Sequence, residues 1–300
     1  MNKIEFGDCR ETMRRWAADG VKVQTCVTSP PYFGLRDYGH DGQIGLEQTP
    51  EQYIAAMVEV FRCVKDVLAD DGTLWVNIAD SWGSGKNYPG IKQKDLIGIP
   101  WLLALALRDD GWYLRQDIIW HKPNPMNESV NDRCTKAHEY IFLLSKSDRY
   151  YYNREDIREP VKPTTTGKAG VRRSGDSKTR SRDHWGVPHN PINVTVEYDE
   201  IKGANKRSVW TVNTKPYKGA HFATFPPALI EPCILAGSKP DDIVLDPFMG
   251  SGTTAAVALQ HGRQYLGCEL NPEYGQLQQD RISKTVKEEE FDTRQVELFA

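Results

Sequence analysis

A strand, a glycine-rich turn, a helix and a second strand follow one another between residues 243 and 269, in the run IVLDPFMGSGTTAAVALQHGRQYLGCE. Two strands joined through a helix pair in parallel, so this run predicts a βαβ unit. Gly250 and Gly252 permit a tight turn and a close approach of the backbone to a ligand. Glu269 ends the second strand, where an acidic side chain accepts hydrogen bonds from ribose hydroxyls. The run therefore indicates a nucleoside site, although the glycines of a purely structural turn would look the same.

The turn leaves the kind of nucleoside open. Its G-S-G-T-T-A run is compatible with a dinucleotide fingerprint, whereas the missing G-K-[ST] excludes a Walker loop. Another motif of the chain is therefore needed to decide which nucleoside this site binds.

Strand-like and helix-like segments alternate through most of the chain. Residues 21–27 (VKVQTCV), 72–80 (GTLWVNIAD), 112–122 and 138–146 have the pattern of strands, and residues 50–69 show apolar side chains at helical spacing. This alternation is typical of an α/β fold with helices on both faces of the sheet. With 300 residues, the chain is long enough for one large domain with an insert.

The alternation breaks near residue 156 and resumes near residue 226. Residues 161–186 are polar and carry seven basic against two acidic side chains, whereas the whole chain has a formal net charge of −3. We interpret residues 156–213 as a variable basic insert that contacts nucleic acid phosphates, with a solvated charged loop as the alternative. The candidate DNA ligands in it are Lys168, Arg172, Arg173, Lys178, Arg180 and Arg182.

Several classes of protein are disfavoured by simple features of the sequence. The six cysteines form no C-x-x-C pair, which predicts reduced thiols and no metal site. No window of about 18 apolar residues is present, so we expect no membrane span. The amino terminus lacks an apolar signal segment, so we expect a cytoplasmic protein.

The strand of residues 21–27 continues directly into TSPPY, residues 28–32. Two adjacent prolines end a strand and stiffen the backbone, so the carbonyl groups point in fixed directions. This corner follows the carboxyl end of a strand, where α/β sheets bind their ligands. A carbonyl, the Ser29 hydroxyl and the Tyr32 ring at this place suit a planar base that carries an exocyclic amine.

TSPPY together with DPFMGSGTT resembles the S-adenosylmethionine-dependent amino-group DNA methyltransferases, which modify cytosine N4 or adenine N6. The acceptor motif at Ser29 precedes the cofactor motif at Asp246, an order that resembles the circularly permuted β group of these enzymes. Residues 7–13 (GDCRETM) and 218–234 (KGAHFATFPPALIEPCI) resemble further segments of the family. The likeness therefore covers nearly the whole chain outside the insert.

The resemblance implies a Rossmann-like methyltransferase fold with a mostly parallel seven-stranded sheet and a basic recognition insert. It divides the chain into a catalytic half at residues 1–155, the insert at 156–213, a cofactor-binding half at 214–286 and a charged carboxyl-terminal tail at 287–300.

The resemblance also implies roles for single residues. The catalytic set is Ser29, Pro30, Pro31 and Tyr32, with Tyr32 stacking on a base flipped out of the duplex. Phe33 is the alternative stacking residue or a core residue. The implied cofactor-binding residues are Asp8, Phe222, Thr224, Phe225, Asp246, Phe248, Gly250, Gly252, Thr253 and Glu269.

Some of these positions have a plainer explanation. Asp8 could equally be the N-cap of the first helix, and Phe225 a core residue. Arg36, in the glycine-rich loop after the acceptor motif, is expected near a DNA phosphate or on a plain surface loop. Cys233 is expected to be a buried thiol, since no P-C-Q nucleophile motif is present and no covalent intermediate is needed.

The implied partners are S-adenosylmethionine and double-stranded DNA. In this family Ser at the first motif position leans toward cytosine, and Asp or Asn toward adenine, so Ser29 favours cytosine N4 over adenine N6. An RNA methyltransferase and an inactive DNA-binding module are more distant alternatives. A homodimer and a separate restriction endonuclease stay open, and the chain shows no endonuclease motif of its own.

Overall fold

The computed structural model describes residues 1–37, 39–83, 90–160, 203–214 and 225–299, with side chains through residue 286. Within these ranges, no helix has the length and apolar character that crossing a bilayer requires. In the same ranges, no three His, Cys, Asp or Glu side chains are grouped so that they could hold a metal ion.

The described chain contains eight strands and six helices, which alternate except for three consecutive strands between the third and fourth helices. The strands are β1 Lys3–Phe6, β2 Val23–Thr28, β3 Leu68–Ile78, β4 Tyr113–His121, β5 His138–Ser145, β6 Val209–Thr211, β7 Ile243–Asp246 and β8 Gln264–Glu269. The helices are α1 Cys9–Ala18, α2 Pro50–Val67, α3 Ile99–Asp109, α4 Pro227–Gly237, α5 Thr253–Gln260 and α6 Tyr274–Phe299. The α/β prediction is thereby confirmed.

The strands form one sheet in the order β1-β8-β7-β2-β3-β5-β4-β6. Only β5 among the described strands runs against the others, because it pairs antiparallel with both β3 and β4. The sheet has eight strands rather than the expected seven. The additional edge strand, β6, is three residues long and pairs in parallel with β4 through Trp210 and Trp120. Three residues are too few to give a recognisable strand pattern in the sequence.

Both faces of the sheet are buried, and alternate side chains of one strand enter different cores. In β3, Leu74 and Val76 pack with α1, α2 and α3, whereas Trp75 faces the core that includes α4 and α5. The β7 side chains Val244 and Leu245 divide in the same way. This two-sided burial explains why the strands appear in the sequence as nearly continuous apolar runs.

The crevice between β2 and β7 lies where the chain changes its winding direction. After β2 the chain passes through α2 to β3, which lies beside β2 in the sheet. After β7 it passes through α5 to β8, which lies beside β7 in the opposite direction along the sheet. In open α/β sheets, ligands bind at the carboxyl ends of the strands that flank such a point. The TSPPY corner leaves β2 there, and the glycine-rich turn leaves β7 there.

Gly237, at the end of α4, shows how closely the helices approach the sheet. An added Cβ would lie 2.6 Å from Thr25 Oγ1 and 2.9 Å from Thr73 Oγ1, two buried hydroxyls that lie 2.9 Å apart. We expect Gly237→Ala to lower the free energy of unfolding by about 1–3 kcal/mol, measured by urea denaturation. Adding Thr25→Ala should recover part of that loss by making room, and strict additivity of the two changes would contradict this explanation.

Candidate functional site

A cavity of about 690 Å³ opens at the carboxyl ends of the strands and is lined by both sequence motifs. The acceptor motif contributes Ser29, Pro30, Pro31 and Tyr32, and the glycine-rich segment contributes Pro247, Phe248, Met249, Gly250, Ser251 and Thr253. Asp8, Arg36, Phe225 and Glu269 also line it. The fold thus brings together, at one opening, residues from the two ends of the chain.

The acceptor corner is fixed from behind by packing and a hydrogen bond. The Tyr53 hydroxyl donates to the Pro31 carbonyl at 2.9 Å. Phe33 is only 2% exposed, and its ring centroid lies 5.6 Å from that of Tyr53. Phe33 is therefore a core residue, which leaves Tyr32 as the aromatic side chain of this motif that lines the cavity.

The loop that follows the corner closes on itself at the rim of the cavity. The Gly34 amide donates to the Gly45 carbonyl at 2.8 Å, and the Leu35 amide donates to the Tyr32 carbonyl at 3.3 Å. The loop places Leu35, Arg36 and His40 along the rim. The proposed contact of Arg36 with a DNA phosphate stays a prediction.

Asp246 lies behind the cavity wall rather than in it. The side chain is 1% exposed, one carboxylate oxygen accepts from Thr28 Oγ1 at 2.6 Å, and the other accepts from Thr254 Oγ1 at 2.6 Å. The Phe248 amide also donates to it at 3.0 Å. Burial raises the pKa of Asp246 from 3.8 to about 6, although these hydrogen bonds oppose the shift. The carboxyl group thus ties the residue before Ser29 to the glycine-rich turn.

The expected role of Asp246 as a cofactor ligand stays a prediction, since its buried carboxylate does not line the cavity and each oxygen accepts a hydrogen bond within the protein. Gly252 does not line the cavity either. It has a φ of +82° and forms the left-handed N-cap of α5, so its described role is to turn the backbone into the helix.

Glu269 is held at the end of β8 with its carboxylate toward the turn. One oxygen accepts from the Gly250 amide at 2.7 Å and the other from the Asn271 amide at 2.8 Å. Burial raises its pKa above 4.5, and the two backbone hydrogen bonds act against that shift. Each oxygen keeps a further lone pair that can accept from a ligand hydroxyl. Nearby, the buried Ser251 hydroxyl lines the cavity without a hydrogen-bond partner in the described part of the chain.

Asp8 is the N-cap of α1, which is one of the two roles that the sequence left open. Its carboxylate accepts from the Arg10 amide at 2.7 Å as the N-cap of α1, and it pairs with the Arg10 guanidinium. The hydrogen bond from Arg10 holds the pKa of Asp8 below its usual value. The residue also lines the cavity, so its contact with a ligand stays a prediction.

A polar network lines the side of the cavity next to Tyr32, and sequence reasoning did not find it. The Tyr32 hydroxyl donates to Glu139 Oε2 at 2.7 Å, Asn77 Nδ2 donates to the same oxygen at 3.1 Å, and the Lys122 ammonium pairs with Oε1. Ser29 Oγ lies 3.3 Å from the Tyr32 hydroxyl. A signal was present, because Glu139 lies near the start of the largely apolar strand β5 and a charge in a buried strand requires a reason.

Other predicted positions lie outside the described residues. They are Phe222, Thr224, Lys168, Arg172, Arg173, Lys178, Arg180 and Arg182. Both ends of the predicted insert are described, and the amide and carbonyl groups of Glu159 and Ala204 pair with each other at 2.8 and 2.9 Å. Cys233 is 1% exposed, which confirms it as a buried thiol.

Comparison with known proteins identifies the family to which this chain belongs. The family model of the N6/N4-type DNA methylases matches residues 23–280, which include both motifs and the strands that carry them. The chain belongs to this DNA methylase family. The methylase is therefore an enzyme that modifies amino groups of DNA bases, and the fit of the two motifs to one cavity agrees with that membership.

Individual relatives support the same assignment. The methylase is 47% identical to the type II methyltransferase M.Cfr9I of Citrobacter freundii, over 92% of this chain and 86% of that protein. It is 46% identical to the type II methyltransferase M.SmaI of Serratia marcescens, over 93% of this chain and 90% of that protein. A putative DNA modification methylase of Thermus thermophilus, crystallised with S-adenosylmethionine, superposes with a TM-score of 0.61 at 25% identity and covers 95% of each chain.

Proposed function

We propose that the methylase transfers a methyl group from S-adenosylmethionine to the exocyclic amine of a base flipped out of duplex DNA, with cytosine N4 as the favoured acceptor. One observation carries the proposal. The acceptor corner around Ser29 and the glycine-rich turn around Gly250 line a single cavity, and Asp246 joins them by hydrogen bonds from behind.

The glycine-rich side of the cavity suits S-adenosylmethionine. Glu269 offers carboxylate lone pairs to ribose hydroxyls, and the Ser251 hydroxyl offers a polar partner to the amino acid end of the cofactor. Phe248 and Phe225 supply apolar contact at the same cavity. When bound, the cofactor supplies an electrophilic methyl group on a sulfonium.

The acceptor side suits a flipped base. The Ser29 hydroxyl and the Pro30 carbonyl are proposed to accept the two N–H groups of the amine, which draws the nitrogen toward tetrahedral geometry and frees its lone pair. Tyr32 is proposed to stack on the base, and Pro31 holds the corner rigid through Tyr53. These groups orient the reactants and need no covalent intermediate.

Two features favour cytosine over adenine. Ser29 is a neutral acceptor, which leans toward cytosine in this family. The Lys122 ammonium lines the cavity and has three donors, so it suits a base that carries a ring carbonyl oxygen, as cytosine does and adenine does not. Adenine N6 methylation by the same mechanism is the alternative.

Contact with duplex DNA is proposed for the basic residues of the insert, together with Arg36 at the cavity rim. Because relatives carry the name type II methyltransferase, we infer a restriction-modification setting in which any endonuclease is a separate protein. Division of the chain at residues 155, 213 and 286 also remains part of the proposal.

The deciding experiment is methyl transfer from labelled cofactor to mixed-sequence duplex DNA, followed by nucleoside digestion and mass spectrometry. We expect labelled N4-methylcytosine. Labelled N6-methyladenine would keep the mechanism and overturn the choice of base. Cofactor binding without label in any DNA nucleoside would instead support the RNA enzyme or the inactive DNA-binding module.

A further inference from the structure

Glu139 is an unusual residue for a strand in the middle of a buried sheet. It is 9% exposed, lines the cavity, and receives hydrogen bonds from three side chains on three separate segments, namely Tyr32, Asn77 and Lys122. A buried carboxylate is costly, and three donors offset that cost. These contacts explain how the sheet accommodates a carboxylate at this position. They do not explain why one of the donors, Tyr32, belongs to the acceptor motif.

The direction of hydrogen bonding from Ser29 to Glu139 follows from valence and distance. The Tyr32 hydroxyl has one proton and two possible acceptors, Glu139 Oε2 at 2.7 Å and Asn77 Oδ1 at 3.3 Å, and the shorter contact to the carboxylate takes the proton. The Tyr32 oxygen then accepts from Ser29 Oγ at 3.3 Å. This leaves the lone pairs of Ser29 free to accept an N–H from a base in the cavity. The 3.3 Å separation is long for two hydroxyls, and catalytic hydrogen bonds of this kind shorten when the substrate is seated.

The methylation reaction requires a route for one proton. When the amine nitrogen gains a methyl group and the carbon–sulfur bond of the sulfonium breaks, the nitrogen carries a positive charge and one proton too many. A seated base and cofactor keep bulk water away from that nitrogen. Some group of the protein must therefore take the proton as the new bond forms.

We propose that Ser29, Tyr32 and Glu139 form a proton relay, with Glu139 as the terminal base. The amine proton moves to Ser29 Oγ, the Ser29 proton moves to the Tyr32 oxygen, and the Tyr32 proton moves to Glu139 Oε2. The products are a neutral methylated amine, a neutral thioether and a neutral Glu139 carboxyl group, so the positive charge of the sulfonium is cancelled by the carboxylate. Ser29 and Tyr32 each end with one proton, as they began.

The groups around Glu139 hold its carboxylate in place. The Lys122 ammonium pairs with Oε1, which leaves Oε2 to the Tyr32 hydroxyl and the Asn77 amide. Asn77 donates to both Glu139 and the Tyr140 carbonyl, and so holds the carboxylate toward Tyr32.

The relay rests on the proposed function, and two conservative substitutions test it. Tyr32→Phe keeps the ring and removes the hydroxyl, and Glu139→Gln keeps the shape and removes the base. We expect each to lower the single-turnover rate of methyl transfer about 100-fold, with unchanged affinity for duplex DNA. The double variant should lose little more than either single variant, because one broken link already interrupts the relay.

Solvent isotope measurements separate a relay from a purely structural role. In mixtures of H₂O and D₂O, a plot of the rate of the unchanged methylase against the deuterium fraction should be curved, since several protons move together. The residual rate of either variant should lose that curvature. Asp110→Asn and Tyr150→Phe make matched changes at residues whose partners are Arg62 and Arg115, away from the cavity, and they should keep both rate and curvature.

Each outcome has a separate meaning. Full activity in both variants would overturn the relay while the proposed function stands. A lower rate that retains the curved isotope dependence, or that is accompanied by weaker DNA binding, would overturn it in favour of simple positioning. Failure of the unchanged methylase to methylate any DNA would overturn the proposed function and the relay together. Circular dichroism confirms that the variants are folded, and Tyr32→Phe decides the matter should Glu139→Gln fail to fold.

Discussion

Ser29→Ala is expected to lower the single-turnover rate of methyl transfer about 1,000-fold, without weakening the binding of DNA or cofactor. The exocyclic amine of a base is a poor nucleophile, because its lone pair is shared with the ring. Ser29 is proposed to accept one of its two N–H groups and to pass on the proton that the reaction releases. Both contributions matter in the transition state more than in the bound substrate, so the loss belongs in the rate.

The control for Ser29 is a change that keeps its hydroxyl. Ser29→Thr retains an oxygen that both accepts and donates, and should recover much of the lost rate. Ser147→Ala removes an exposed hydroxyl that contacts only backbone carbonyls outside the cavity, and it should have no effect. A normal rate for Ser29→Ala, or a loss that vanishes at saturating DNA, would contradict the proposed role.

Asp246→Asn is expected to raise the free energy of unfolding by about 3 kcal/mol at pH 7.5, and to change it little near pH 4. Asp246 has a pKa of about 6 in the fold, against an ordinary value of 3.8. Burial is the main cause, since the charged form loses its contact with water. The folded protein therefore binds the proton more tightly than the unfolded chain does.

The sign of the pH dependence follows from that difference. Below about pH 4 both states hold the proton, so the ionisation of Asp246 does not affect stability there. Between about pH 4 and pH 6 the unfolded chain loses the proton first, so the contribution of Asp246 to stability falls as the pH rises. Above about pH 6 Asp246 is ionised in the folded protein as well, and the buried charge lowers the free energy of unfolding by its full amount. Asparagine avoids this cost, and its amide oxygen can still accept from Thr28 and the Phe248 amide.

The measurement for Asp246 is urea denaturation of both proteins from pH 4 to pH 8. Other groups titrate in both proteins, so the difference between the two curves isolates Asp246. Asp241→Asn, at an exposed aspartate, serves as the matched control and should leave the curve unchanged. A variant that is less stable than the parent by the same amount at every pH would show that the hydrogen bonds, rather than the charge, dominate.

The sequence alone determined the α/β class, the position of the ligand edge and the two motifs, since each of these rests on local patterns. Apolar runs reveal buried strands, and the glycines near residue 250 and the prolines after Ser29 fix the backbone where they stand. The acidic end of β8 at Glu269 and the buried thiol of Cys233 were also recognisable, because each follows from the pattern of the element that contains it.

Only the tertiary structure shows which residues far apart in the chain contact one another around the cavity. Asp246 is predicted from its motif to bind the cofactor, and the structure adds that its carboxylate accepts from Thr28, 218 residues away in the chain. Glu139, Asn77 and Lys122 belong to neither motif, and they form one network with Tyr32 only because β3, β4 and β5 are neighbours in the sheet. Strand β6 exists only as a partner of β4. Hydrogen bonds and ion pairs between side chains depend on which strands become neighbours, and local sequence patterns carry no record of that choice.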